Sequence, residues 1–122
     1  MTWRILYVDD EPDLREVAQI SLELEPEFEV RCCASGAEAI AALPEWQPDL
    51  VLLDVMMPEM DGPATLEQIR QLPEGGLPIV FITARAGDND AVHLMALGAA
   101  GVIAKPFDPL QLASQVRRYV EG

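Results

Sequence analysis

Five polar residues stand at the C-terminal ends of apolar stretches: Asp9 and Asp10 after WRILYV, Asp54 closing LVLLD, Thr83 closing IVFIT, and Lys105 after GVIA. Three carboxylates brought within several ångströms repel one another and raise each other's pKa, so a cluster of them calls for a cation. Oxygen ligands without Cys or His favour a hard divalent ion, Mg2+ or a relative, over zinc. With the acids engaged on a metal and a reaction, Thr83 and Lys105 remain as donors to an anionic oxygen such as that of a phosphoryl group. Lys105 is the only lysine of the chain. The chemistry implied is metal-assisted phosphoryl chemistry.

That chemistry requires elements that deliver the five residues to one place. Apolar runs recur at intervals of about 25 residues with helical periodicity between them, the sequence form of repeated strand-helix units. The spacing predicts strands at 3–8, 28–33, 50–54, 79–83 and 101–104. Pro12 opens the first helix, with Leu14, Val17, Ile20 and Leu24 spaced as one apolar face. Ser35 and Glu38 read as a capping box before Ala39, Ile40 and Leu43, and Asp108-Pro109 as an N-cap and N1 pair before Leu112, Val116 and Val120. Two further helices are expected at about 63–72 and 88–97, with Asp61-Gly62 as a turn before the first of them.

Runs 50–54 and 79–83 are apolar until their last residue, which places them centrally in a sheet. Phe28, Val30 and Cys32 alternate with Glu29 and Arg31, which marks an edge strand. Right-handed crossovers then give a doubly wound, five-stranded parallel α/β sheet in the order 2-1-3-4-5. All five polar residues fall at its carboxyl edge, where open α/β sheets bind ligands.

Composition narrows the alternatives. The 122 residues, half of them apolar, make one domain, 1–122. Acidic residues number 21 against 8 basic ones, a net charge of -13, which disfavours direct nucleic-acid contact and anionic membrane. The adjacent Cys32 and Cys33 make no disulfide scaffold, and no apolar run reaches membrane-spanning length, so a cytoplasmic domain is expected. His93, on a helical stretch, reads as a solvated histidine rather than a relay.

The segments V-D-D-E-P at 8–12, L-L-D-V-M-M-P-E-M-D-G at 52–62, I-T-A-R at 82–85 and K-P-F at 105–107 together resemble the receiver domain of two-component response regulators, with its flavodoxin-like fold, along the whole chain. The resemblance implies that Asp54 accepts a phosphoryl group from a histidine kinase or phosphotransfer protein. It implies Mg2+ held directly by Asp10, Asp54 and the backbone carbonyl of Met56, with Asp9 helping through water. Lys105 would pair with Asp54 or its phosphate, Thr83 would bond a phosphate oxygen, and Pro106 would follow a cis peptide bond. The output partner would meet the face of helix 4, strand 5 and helix 5. Two positions depart from the usual pattern: Val102 stands where an aromatic switch residue is customary, and Met56 stands two residues after Asp54.

Other classes use the same ingredients. A haloacid-dehalogenase phosphohydrolase also combines a nucleophilic Asp with Mg2+, but its D-x-D-x-T pattern is absent, since Val55-Met56 follows Asp54. A flavodoxin-like cofactor binder needs a phosphate-cradling loop after strand one, where Asp9-Asp10-Glu11 would repel a permanent phosphate. A receiver-like scaffold that takes no phosphate stays open. The resemblance thus points to a signalling domain, not an enzyme beyond intrinsic autophosphatase activity.

Overall fold

The computed structural model describes residues 2–121. Five parallel strands, β1 (Trp3–Val8), β2 (Phe28–Cys33), β3 (Leu50–Asp54), β4 (Ile79–Thr83) and β5 (Gly101–Ala104), lie in the order β2-β1-β3-β4-β5. The chain alternates them with α1 (Pro12–Glu23), α2 (Gly36–Trp46), α3 (Gly62–Arg70), α4 (Asp88–Ala96) and α5 (Leu112–Glu121). All five strand ranges match the sequence reading, and so does the strand order.

Burial explains why the order is this one. Every residue of β3 and β4 is buried, as strands covered on both faces require, whereas β2 exposes Glu29 and Arg31 at the edge. Leu6, Val8, Leu53 and Phe81 pack with α2, α3 and α4 on one face. Ile5, Tyr7, Leu52 and Ile82 pack with α1 and α5 on the other. Each large apolar side chain so buried contributes roughly 1.5–3 kcal/mol.

The register aligns the strand ends. Val8 pairs with Leu53, Asp54 with Ile82, and Thr83 with Ala104, so the chain leaves β1, β3, β4 and β5 along one edge. The crossovers diverge between β1 and β3, which opens the crevice where such sheets bind ligands.

The helices depart from expectation in three places. In α1 the buried residues are Ala18, Ser21 and Leu22, while Val17, Ile20 and Leu24 are exposed. Small Ala18 and Ser21, the latter donating its hydroxyl to the Val17 carbonyl at 2.7 Å, let α1 seat on a neighbouring stripe of the helix. The regular part of α5 begins at Leu112. Asp108 accepts from the Leu110 N–H at 2.9 Å as a cap should, but a hydrogen-bonded turn separates it from the helix. Asp61 caps α3, its side chain accepting from the Ala64 N–H at 2.9 Å, so Gly62 is the first helical residue and not part of a free turn. The Ser35 hydroxyl oxygen accepts from the Glu38 N–H at 3.1 Å, as its cap position predicts.

Candidate functional site

Asp9 follows β1 and is completely buried. Its Oδ1 accepts from the Glu11 N–H at 3.0 Å, which ties the acid to the start of α1. Its Oδ2 accepts from the Tyr7 hydroxyl at 2.8 Å and lies 3.0 Å from Lys105 Nζ. Asp54, the last residue of β3, is also buried, and its Oδ1 lies 3.2 Å from the same ammonium. Lys105 Nζ additionally stands 3.8 Å from Glu11 Oε1. Asp10 is half-buried beside them, and one carboxylate oxygen from each of Asp9, Asp10 and Asp54 lies within 4.8 Å of the others.

The electrostatics follow from this crowding. Burial, then the neighbouring Asp9 charge, push Asp54 from its ordinary 3.8 up to about 6, against the opposing pull of Lys105 and the Met56 N–H. Burial alone would lower Lys105, but the Asp9 hydrogen bond and the charges of Asp54 and Asp9 raise it overall. The ammonium therefore stays charged. Asp9, Asp10 and Asp54, with Glu11 also 3.8 Å from the ammonium, carry more negative charge than Lys105 balances, and the donors are all oxygen. That set fits a hard divalent cation better than a soft one.

The loop after β5 carries Lys105 back over the sheet edge: its N–H donates to the Thr83 carbonyl at 2.8 Å, and the Lys105–Pro106 bond is cis, as expected for Pro106. Thr83 is buried, and its Oγ1 accepts from the Arg85 N–H at 3.0 Å, a bond that does not use the hydroxyl proton. Thr83, Met56, Arg85, Asp90 and His93 line a cavity of about 220 Å³ between the end of β3 and α4. Met56 is 70% exposed over the crevice, and His93 is exposed on α4, as read. Val102 is half-buried against the core cluster that includes Leu94.

The structure thus brings Asp9, Asp10, Asp54 and Lys105 into one constellation, with Thr83 ending the next strand at the same edge. The sequence reading gave two residues no part in the site. Tyr7 lies two positions before Asp9 and so shares its side of the strand, a signal that strand alternation offers. Gly62 lies against the end of β3, where an added Cβ would meet the Asp54 carbonyl oxygen at 2.5 Å. Nothing in the local sequence distinguishes that close approach from an ordinary Asp-Gly turn.

Residues 5–117 match the response regulator receiver domain, and the chain belongs to that family, a signalling domain of two-component systems. It is 40% identical over 117 residues to the DNA-binding response regulator MtrA of Mycolicibacterium smegmatis, covering 96% of this chain and 50% of that protein. It is 40% identical over 114 residues to response regulator Rre1 of Synechocystis sp., covering 93% and 49%. The chain thus spans about half the length of the curated relatives it matches. Among solved structures, the chemotaxis response regulator CheY4 of Vibrio cholerae superposes with a TM-score of 0.89 at 28% identity, covering 98% of this chain and 99% of that one. The signal receiver domain of a signal transduction histidine kinase from Syntrophus aciditrophicus gives 0.84 at 34% identity, covering 99% and 92%. Among the described residues, no helix is long and apolar enough to cross a membrane.

Proposed function

We propose that Asp54 accepts a phosphoryl group from the phosphohistidine of a histidine kinase or phosphotransfer protein, and that the product changes what the α4, β5 and α5 face binds. The observation that carries this reading is the meeting of Asp9, Asp10 and Asp54 within 4.8 Å, with the chain's single lysine paired to Asp9 and Asp54.

Asp10, Asp54 and the carbonyl of Met56 would hold Mg2+ directly, with Asp9 acting through water. When bound, the ion neutralises negative charge on the phosphoryl oxygens during transfer. Asp54 supplies the attacking carboxylate oxygen. A P–O bond forms as the P–N bond of phosphohistidine breaks, and the departing imidazole nitrogen keeps the electron pair and takes up a proton. Lys105 favours the ionised, nucleophilic form of Asp54 against the desolvation that opposes it. After transfer, Lys105 pairs with a phosphoryl oxygen and Thr83 donates its hydroxyl to another. Attack by water on the aspartyl phosphate reverses the state, the autophosphatase reaction, with Met56 standing over the crevice.

The functional unit is the whole of 1–122, working in the cytoplasm without membrane or nucleic-acid contacts of its own. Some relatives are named as DNA-binding, but a net charge of -13 turns duplex contact away from these residues in any longer protein. Phosphoramidate, a small P–N phosphodonor, tests the reading. With Mg2+ the intact mass should rise by one phosphoryl group, and with EDTA it should not. Labelling that is indifferent to EDTA would contradict it.

A further inference from the structure

The phenol of Tyr7 touches the acidic site, yet it has no task in the phosphoryl transfer itself. Two donors share one oxygen there: Tyr7 Oη at 2.8 Å and Lys105 Nζ at 3.0 Å both meet Asp9 Oδ2. Lys105 is also shared with Asp54 Oδ1 at 3.2 Å. A wholly buried carboxylate is costly to leave without donors. Without Tyr7, the move of the ammonium from Asp9 to an oxygen carried on Asp54 would leave Asp9 Oδ2 with no protein donor, the Glu11 N–H serving Oδ1 and a Mg2+-bound water its sole other partner. Tyr7 cannot follow Lys105, because its ring is fully buried in the core between the sheet and α1 and α5.

We propose that Tyr7 is a positioning residue for Lys105: by holding Asp9 Oδ2 permanently, it lets the ammonium leave Asp9 for the phosphoryl oxygens. The inference rests on the reading of Asp54 as phosphoacceptor. It concerns an exchange in which no bond is made or broken except hydrogen bonds and ion pairs.

Because Lys105 is the only lysine, isotope-labelled lysine gives a single side-chain NMR signal that reports this ammonium alone. Beryllofluoride with Mg2+ stands in for the phosphoryl group. In the wild type the Lys105 signal should shift to a saturating limit. In Tyr7→Phe, which keeps the ring and loses one hydrogen bond to a charged group, the shift should shrink and the midpoint should rise roughly tenfold. In the Asp9→Asn background, where no buried charge must be left behind, Tyr7→Phe should change neither. Equal titrations of wild type and Tyr7→Phe would overturn the role of Tyr7 and leave the phosphoacceptor reading standing. So would a Tyr7→Phe defect that persists undiminished in the Asp9→Asn background, since packing alone would produce it. A wild-type Lys105 signal unmoved at saturating beryllofluoride would overturn both. If Tyr7→Phe fails to fold, the Tyr7 hydroxyl proton in the wild type decides: it should stay hydrogen-bonded and protected from exchange with water at saturating beryllofluoride, and loss of that protection as the Lys105 signal moves overturns the proposal.

Discussion

Gly62 begins α3 in backbone contact with Asp54: a Cβ at this position would lie 2.5 Å from the Asp54 carbonyl oxygen and 2.9 Å from Val55 Cα. Neither neighbour is a flexible side-chain end, so Gly62→Ala forces the end of β3 and the start of α3 apart. The Gly62 N–H also donates to the Val55 carbonyl at 2.9 Å, which fixes the loop that carries Met56. The substitution should cost about 2 kcal/mol, read as a lower urea midpoint at unchanged slope. It should also slow labelling of Asp54 more than this loss of folded protein explains.

Asp10→Asn separates stability from metal binding. Removing one of three clustered negative charges relieves repulsion, so the variant in EDTA should be as stable as the wild type or up to about 1 kcal/mol more stable. Mg2+ at a hundredfold excess over its dissociation constant should stabilise the wild type by about 3 kcal/mol and the variant hardly at all. Calorimetric melts with and without Mg2+ measure both, and equal Mg2+ stabilisation of the two proteins would remove Asp10 from the ligand set.

The pH dependence of the metal-free protein has a definite sign. Asp54 is raised by folding from 3.8 to about 6, so the folded state holds the proton more tightly than the unfolded state. The resulting stabilisation is complete below pH 3.8 and is lost as pH rises through about 6. Relative to Asp54→Asn, the wild type in EDTA should therefore lose on the order of 2 kcal/mol between pH 4 and 7. Urea titrations of both proteins across that range check the slope, and parallel curves would show that Asp54 titrates normally.

Signal output should run through Thr83. Beryllofluoride should perturb amide shifts from residues 83–90 into 101–118, biasing an existing equilibrium by a few kcal/mol at most. Asp54 is anionic before modification, so the added charge is less than the roughly -2 of a free phosphate, and local hydrogen bonds must carry the change. Val102 packs half-buried without an aromatic ring, so the displacement of β5 should be small. Thr83→Ala should confine the perturbations to the loops after β1 and β3; an identical far-reaching pattern in that variant would rule out this route.

Much of this molecule was legible in its sequence because strands covered on both faces must be apolar throughout. That constraint fixed β3 and β4 and, with the alternation of Glu29 and Arg31, the edge position of β2. The acids and Lys105 were legible because each sits where an apolar run stops. The inward face of α1 was not, because Ala18 and Ser21 are buried for their small size while the larger Val17 and Ile20 stay outside. Periodicity weighs side chains by hydrophobicity and undervalues a face on which the large Leu22 is joined by the small Ala18 and Ser21. Spacing puts Tyr7 on the side of Asp9, but the close approach of Gly62 to Asp54 and the sharing of Asp9 Oδ2 with Lys105 depend on loop path and on a contact across the sheet, which spacing does not encode.

The central claim, that Asp54 is the phosphoacceptor, is met most directly by peptide mapping after treatment with acetyl phosphate and Mg2+. The phosphoryl mass should fall on the single peptide that contains Asp54 and should vanish in Asp54→Asn. A phosphoryl group mapped to another residue, or labelling of Asp54→Asn to the wild-type extent, would contradict the account.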